Sequence, residues 1–307
     1  MDGRQTVTFT KMHGCGNDYI YIDGAVNRIP QEDKPAFVRR FSDRHFGIGG
    51  DGVIFINPAP AGESDVDFEM EMYNADGSRS EMCGNGIRCV GAYVWEHHLT
   101  DKKELTINSA GARKYLTLSA SEQGGKRSTE SVSVDMGAPI LVPDEIPVAL
   151  PASAAGEVSS PDPLLPPQVT IKAGGMDWHA SCVSMGNPHA VVILTDDVDL
   201  ASFPLDRIGP VFETHPVFPR RTNTEFVHID DSRNVHMRVW ERGTGETLAC
   251  GTGCCATTVA CALNGLTGDE VTVHVLGGEV CCRYDREKKR VFMTGPAETV
   301  FEGSMEL

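Results

Sequence analysis

The stretch ACGTGCCATTVACALNGLT, residues 249–267, decides the fold. From Cys250 to Thr267 it carries no charge, and small residues dominate. A helix apolar on every side has to be surrounded. Crossing a bilayer takes about 20 apolar residues, so here the surroundings are protein rather than lipid. An earlier stretch, MCGNGIRCVGAYVW at 82–95, opens in the same way: a cysteine, then Gly-x-Gly, then an apolar run with only Arg88 charged. Two such stretches predict two cores, each enclosing one helix.

Working outward, a second echo appears. GNDYIYID at 16–23 matches GNPHAVVIL at 186–194, with Gly-Asn leading into a strand pattern each time. Asn17 and Asn187 lie 170 positions apart, Cys83 and Cys250 167 apart. Nearly equal offsets point to an internal duplication. Most remaining segments alternate or are β-branched, as strands are: VTFTKMH, YIYID, VDFEMEMYN, LTINS, KYLTLS and VSVDM in the first half, QVTIKA, AVVIL, TEFVHI, NVHMRVW, EVTVHVL and RVFMTG in the second. The fold class expected is α/β (α+β), with two pseudo-symmetric domains. Each would be a strongly curved mixed sheet wrapped around a central buried helix. The division is expected near residue 130, giving an N-terminal domain 1–130, completed by the C-terminal strand 297–307, and a C-terminal domain 131–296. The polar stretch EQGGKRSTES at 122–131 reads as a hairpin tip or linker. Residues 139–167 hold eight of the eighteen prolines and read as a surface excursion without chemistry.

Composition narrows the function. The 307-residue chain is 23% charged and 40% hydrophobic, as ordinary globular proteins are. Its formal net charge of −16 argues against nucleic acid or an anionic membrane as partner. The opening MDGRQTVTFTKMHG lacks the apolar segment of a secretory signal, so a cytoplasmic address is expected, with the ten cysteines mostly reduced. Neither Cys-x-x-Cys nor His-x-x-x-His occurs, which speaks against a tight zinc site; no metal is expected. GIGGDG at 47–52 satisfies Gly-x-Gly-x-x-Gly, but a helical pattern precedes it and the strand pattern VIFI follows. That order is the reverse of a dinucleotide fingerprint.

The repeated motif has its own chemistry. The first amides of a helix lack internal partners and carry partial positive charge. Such an end binds a carboxylate and lowers the pKa of a thiol placed there. Glycines at 84, 86, 251 and 253 let the backbone turn and approach a ligand. Two such ends converging on one carboxylate would put a sulfur on each face of the adjacent carbon. One thiolate removes the proton and the opposed thiol returns one, inverting the centre without cofactor or metal. Cys89, Cys182, Cys254, Cys255, Cys261, Cys281 and Cys282 read as core, and Cys15, between two glycines, as structural.

With these residues in view, the sequence resembles the diaminopimelate epimerases over nearly its whole length. The carriers are MHGCGNDYIYID, GIGGDG, YNADGSRSEMCGNGIRC, MGNPHAV, RRTNTEF and ERGTGETLACGTG, in the family's order. The resemblance implies a cofactor-independent epimerase interconverting LL- and meso-2,6-diaminopimelate by a two-cysteine proton transfer, in lysine and peptidoglycan-precursor synthesis. It implies an active site in the cleft between the domains, with Cys83 and Cys250 catalytic. Backbone amides at Gly84, Asn85, Gly251 and Thr252 would hold the reacting carboxylate. Asn17, Asn74, Asn187, Asn223, Glu241 and Arg242 match positions that bind substrate or order the site, and His189 and Glu241 match groups that tune the thiols. The partner implied is a small-molecule substrate, and a homodimer is left open. One position departs: many members carry glutamine where Gly52 stands, so that side-chain contact is expected to be missing.

Three rivals share these residues. A proline or hydroxyproline racemase resembles the same architecture and also uses paired cysteines, but MCGNG, NADGS and ERGTGET favour diaminopimelate. A thiol redox protein would cycle Cys83 and Cys250 through a disulfide. A non-catalytic amino-acid binder would not need both cysteines.

Overall fold

The computed structural model describes residues 6–80, 82–149 and 164–307. Its first unit comprises Met1–Val134 and Thr294–Leu307. The elements there run β1 (Thr6–Gly14), β2 (Asn17–Asp23), α1 (Lys34–Ser42), β3 (Gly52–Pro58), β4 (Phe68–Asn74), β5 (Arg79–Ser80), α2 (Gly84–Glu96), β6 (Glu104–Ser109), β7 (Ala112–Gln123) and β8 (Lys126–Gly137). The second unit, Asp135–Met293, holds β9 (Gln168–Ala173), β10 (Met176–Ser184), β11 (Pro188–Ile193), α3 (Leu205–Glu213), β12 (Asn223–Ile229), β13 (Asn234–Glu241), β14 (Gly245–Thr247), α4 (Gly251–Leu263), β15 (Glu270–Val275) and β16 (Gly278–Asp285). β17 (Arg290–Gly295) leads back to the first unit, which β18 (Glu298–Glu306) completes.

The two units repeat one set of pairings. β1–β2 is antiparallel, β2–β3 parallel, β3–β4 antiparallel, β4–β6 parallel and β6–β7 antiparallel. β10–β11, β11–β12, β12–β13, β13–β15 and β15–β16 follow the same series. On the other edge, β18 lies antiparallel to β1 as β9 does to β10. Both sheets are therefore mixed, and each parallel step is bridged by a helix, as parallel neighbours require.

Strand alternation puts two different helices on the two faces of each sheet. In the first unit Ile20, Ile22, Val53 and Phe55 pack with Phe37, Val38 and Phe41 of α1. Ile54, between them, faces Gly86 of α2, and the Tyr21 hydroxyl donates to the Gly86 carbonyl at 3.2 Å. A strand covered on both sides has to be apolar throughout, which explains the unbroken VIFI. In the second unit Ala190, Val192 and Phe226 pack with Leu205, Ile208 and Phe212 of α3, and α4 lies against the other face. Residues 84–95 of α2 are all buried, and so are residues 251–262 of α4 except Thr252. No helix among the described residues is long and apolar enough to cross a membrane.

Of two local expectations, one holds and one changes. The polar stretch at 122–131 is the tip of the β7–β8 hairpin, turning at Gly124 and Gly125 with φ of 59° and 79°, and β8 runs on through the division between units. The proline-rich segment is not wholly a surface excursion: Ile146 and Val148 enter the core of the second unit, and Ile140 bridges to Ser184. Residues 150–163 of that segment lie outside the described residues. At Gly52 an added Cβ would lie 2.0 Å from the Tyr73 carbonyl oxygen. The close β3–β4 approach leaves no room for a side chain at this position.

Because Ile87 on α2 is fully enclosed, Ile87→Ala should cost about 2–5 kcal/mol in urea unfolding. An unchanged midpoint would show that α2 is not the centre of its core.

Candidate active site

In the first unit, Cys83 is the N-cap of α2, with extended φ and ψ of −131° and 120°. Its sulfur accepts from the Gly86 amide at 3.3 Å and donates to Asn17 Oδ1 at 3.1 Å. Asn85 Nδ2 reaches the same Asn17 oxygen at 3.4 Å, and Asn17 Nδ2 donates to Asp51 Oδ2 at 2.7 Å. Arg44 spans Asp51 and Asp18. Burial would raise the Asp18 carboxyl, but Arg44 and Lys11 hold it below its usual range. Asn17 is thus oriented at both ends. It is set at the start of β2 by a tight turn in which Cys15 and Gly16 both take positive φ, 53° and 78°. Cys15 is a buried turn residue, as its structural reading anticipated. Asn74 stands opposite Gly52 at the end of β4, and its Nδ2 donates to Ser78 Oγ at 3.0 Å across its own turn.

In the second unit, Cys250 is the N-cap of α4, with φ and ψ of −117° and 107°. Its sulfur lies 3.5 Å from Thr252 Oγ1, and Asn187 Nδ2 donates to the same hydroxyl at 3.2 Å. The contact of Asn17 with Asn85 therefore recurs as Asn187 with Thr252, each partner two residues past its cysteine. Asn187 Oδ1 faces His189 Nε2 at 3.1 Å, and His189 Nδ1 lies 2.7 Å from Glu225 Oε1. Asn223 Nδ2 donates to the Pro188 carbonyl at 3.0 Å, and its oxygen accepts from the Arg242 amide at 2.8 Å. The Arg242 guanidinium is exposed and rests on the Arg220 carbonyl. Glu241 accepts from the Thr247 hydroxyl.

One electrostatic expectation is overturned. The helix start was expected to lower the thiol, yet the Cys250 thiol is pushed well above its ordinary value. Burial is the main cause, and the Glu241 and Glu225 carboxylates add to it, while Thr252 and the Gly253 amide act the other way. Desolvating a thiolate beside two acids outweighs the amides. Glu241 is itself raised, first by burial, with Glu225 adding and Thr247, His189 and Cys250 opposing. The glycines also differ from expectation. None of Gly84, Gly86, Gly251 and Gly253 has positive φ. What Gly86 and Gly253 provide is closeness: an added Cβ would lie 2.7 Å from Ile54 Cδ1 and 2.7 Å from Glu225 Oε1, respectively.

The first-unit residues Asn17, Cys83 and Asn85 are brought together, as are the second-unit residues Asn187, His189, Cys250 and Thr252. Asp51 and Glu225 were missed. A lone acid inside the apolar strand TEFVHI was the available signal for Glu225. Cys281 is half-buried rather than core. No group of three or more metal-ligating side chains among the described residues could hold a metal ion.

A sequence model of the family described as diaminopimelate epimerase matches residues 9–142 and 181–300. Proteins named diaminopimelate epimerase are similar along almost the entire chain. That of Agathobacter rectalis is 51% identical, covering 97% of this chain and 99% of its own length. Those of Methanococcus maripaludis and Leptospira biflexa are 48% and 47% identical, covering 97% and 98% of this chain and 99% of theirs. Among solved structures, a hydroxyproline epimerase from Agrobacterium vitis with bound trans-4-hydroxy-L-proline gives a TM-score of 0.67 at 16% identity, covering 100% of this chain and 94% of that one. A methylitaconate-delta-isomerase gives 0.63 at 15%, covering 99% and 96%. These two likenesses concern the fold.

The raised thiols set an alkaline limit. Cys250, Cys182 and Cys261 stay protonated in the folded protein after their unfolded counterparts, with pKa about 8.5, have ionised. The unfolded state then holds fewer protons, so stability is full below about pH 8.5 and falls as pH rises toward about 12, where Cys261 titrates. Urea midpoints that stayed flat from about pH 8 to 11 would contradict this.

Proposed function

The chain belongs to the diaminopimelate epimerase family, and on that premise we propose that it interconverts LL- and meso-2,6-diaminopimelate by proton transfer between two cysteines. The observation that supports this most is the doubled device at the starts of α2 and α4. Each start has a cysteine N-cap and an asparagine at a distant strand start, tied to the residue two past that cysteine. A device built twice suits a reaction that must act on two faces of one carbon.

Reading the roles from chemistry, the amides of Gly84, Asn85, Gly251 and Thr252 hold the carboxylate next to the reacting carbon. They stabilise it as it gains enolate character. One cysteine takes the α-proton as thiolate, and the other gives a proton to the opposite face as thiol. Burial and two carboxylates suit Cys250 to begin as the thiol, which leaves the base role in that direction to Cys83. In the reverse direction the roles exchange. Asn17 orients the Cys83 sulfur, and Glu241 and His189 set the proton balance around Cys250. The exposed fork of Arg242 suits a distal carboxylate, and Asn74, Asn187 and Asn223 offer neutral donors and acceptors to the remaining amino-acid groups. The reaction needs neither cofactor nor metal. It places the protein in lysine and peptidoglycan-precursor synthesis in the cytoplasm.

Incubation with LL-diaminopimelate, proline and lysine in deuterated water separates the candidates. Loss of the α-proton is expected from diaminopimelate alone, and Cys83→Ser or Cys250→Ser should lower kcat/KM by about 10²–10⁴. Exchange confined to proline would assign the chain to the racemase reaction instead.

A further inference from the structure

His189 and Glu225 are both completely buried, with Nδ1 and Oε1 2.7 Å apart. The second carboxylate oxygen of Glu225 is buried with no hydrogen-bond partner. Comparison of the two units shows what this pair replaces. In the parallel β2–β3 pairing, Tyr19 lies opposite Gly52 and Tyr21 opposite Ile54; in β11–β12, His189 lies opposite Asn223 and Val191 opposite Glu225. Gly86 presses on Ile54, and Gly253 presses on Glu225. One position of the repeated fold therefore holds a methyl-bearing side chain under α2 and a carboxylate under α4. The first unit shows that packing alone is satisfied by isoleucine. An enclosed carboxylate is unfavourable unless it is matched by opposite charge or donors, and the partner here is the imidazole.

Resting on the functional reading above, we propose that Glu225 is a positioning residue for His189. Its carboxylate accepts the hydrogen bond from Nδ1–H, fixes the ring against Asn187, and favours positive charge on the ring beside Glu241. A carboxylate can only accept, so Nδ1 must be the donor, and the ring's other nitrogen is thereby turned to Asn187. The ionisable groups around the ring in this unit are Glu225 on β12, Glu241 on β13 and Cys250 at the mouth of α4. Removing the Glu225 charge withdraws a negative neighbour from the ring, from Glu241 and from Cys250, so their titrations move together toward lower pH.

The test uses the whole chain with ¹⁵N-labelled histidine, the His189 ring being assigned by its absence in His189→Asn. In Glu225→Gln the ring should titrate at least about one pH unit lower than in the wild type. The kcat/KM profile should shift the same way, and kcat should fall about tenfold or more while KM changes less than about twofold. Glu225→Asp, which keeps the charge, should restore most of the ring titration and carries the test if the glutamine variant does not fold. An unmoved ring overturns the proposal, and so does a moved ring with unchanged kcat and pH profile. A wild-type protein that exchanges no α-proton from diaminopimelate sinks the functional reading instead, and the ring titration, which needs no turnover, still decides the pairing.

Discussion

Each buried helix begins with a turn pressed onto the middle of its sheet, and the missing Cβ atoms of Gly86 and Gly253 make that approach possible. Moving either helix outward would separate the first-turn amides from the asparagines on the neighbouring strands, Asn17 and Asn187. It would also uncover the buried, largely apolar surface that holds the helix in place. Close approach, burial of the helix and orientation of the cysteine are therefore one constraint seen at three levels.

Against that shared frame, the two units differ beneath the helix starts. Tyr19 and Ile54 on one sheet correspond to His189 and Glu225 on the other. Cys83 is partly exposed and oriented by an amide oxygen, while Cys250 is buried among acids. The backbone provides two equivalent helix starts, and side chains under them make one thiol harder to ionise. A duplicated scaffold can thus keep its geometry while its electrostatics diverge.

Much of this was legible in the sequence. The uncharged run after Cys250 required an enclosed helix, and VIFI after GIGGDG read as a strand. Both follow from hydrophobic period and length, which act locally. β10 and β16 were not read as strands because MDWHASCVS and GEVCCRYD interleave Ser, His, Cys and charged residues with few β-branched ones; pairing with β9, β11 and β15 decides their state. Glu225 and the raised Cys250 thiol were missed for a related reason. A motif shows which groups stand at a helix start but not which carboxylates the neighbouring strands bring beneath it, and at Cys250 those carboxylates and burial outweigh the helix end.

The pairing of β18 with β1 bears on how the polypeptide matures. The second unit is encoded without interruption and can consolidate while translation continues, whereas the first takes material from both extremities. Until Glu298–Glu306 leaves the ribosome, the outer side of β1 presents unsatisfied backbone groups, a template for pairing with other nascent chains. Vectorial synthesis therefore finishes the earlier-made half last.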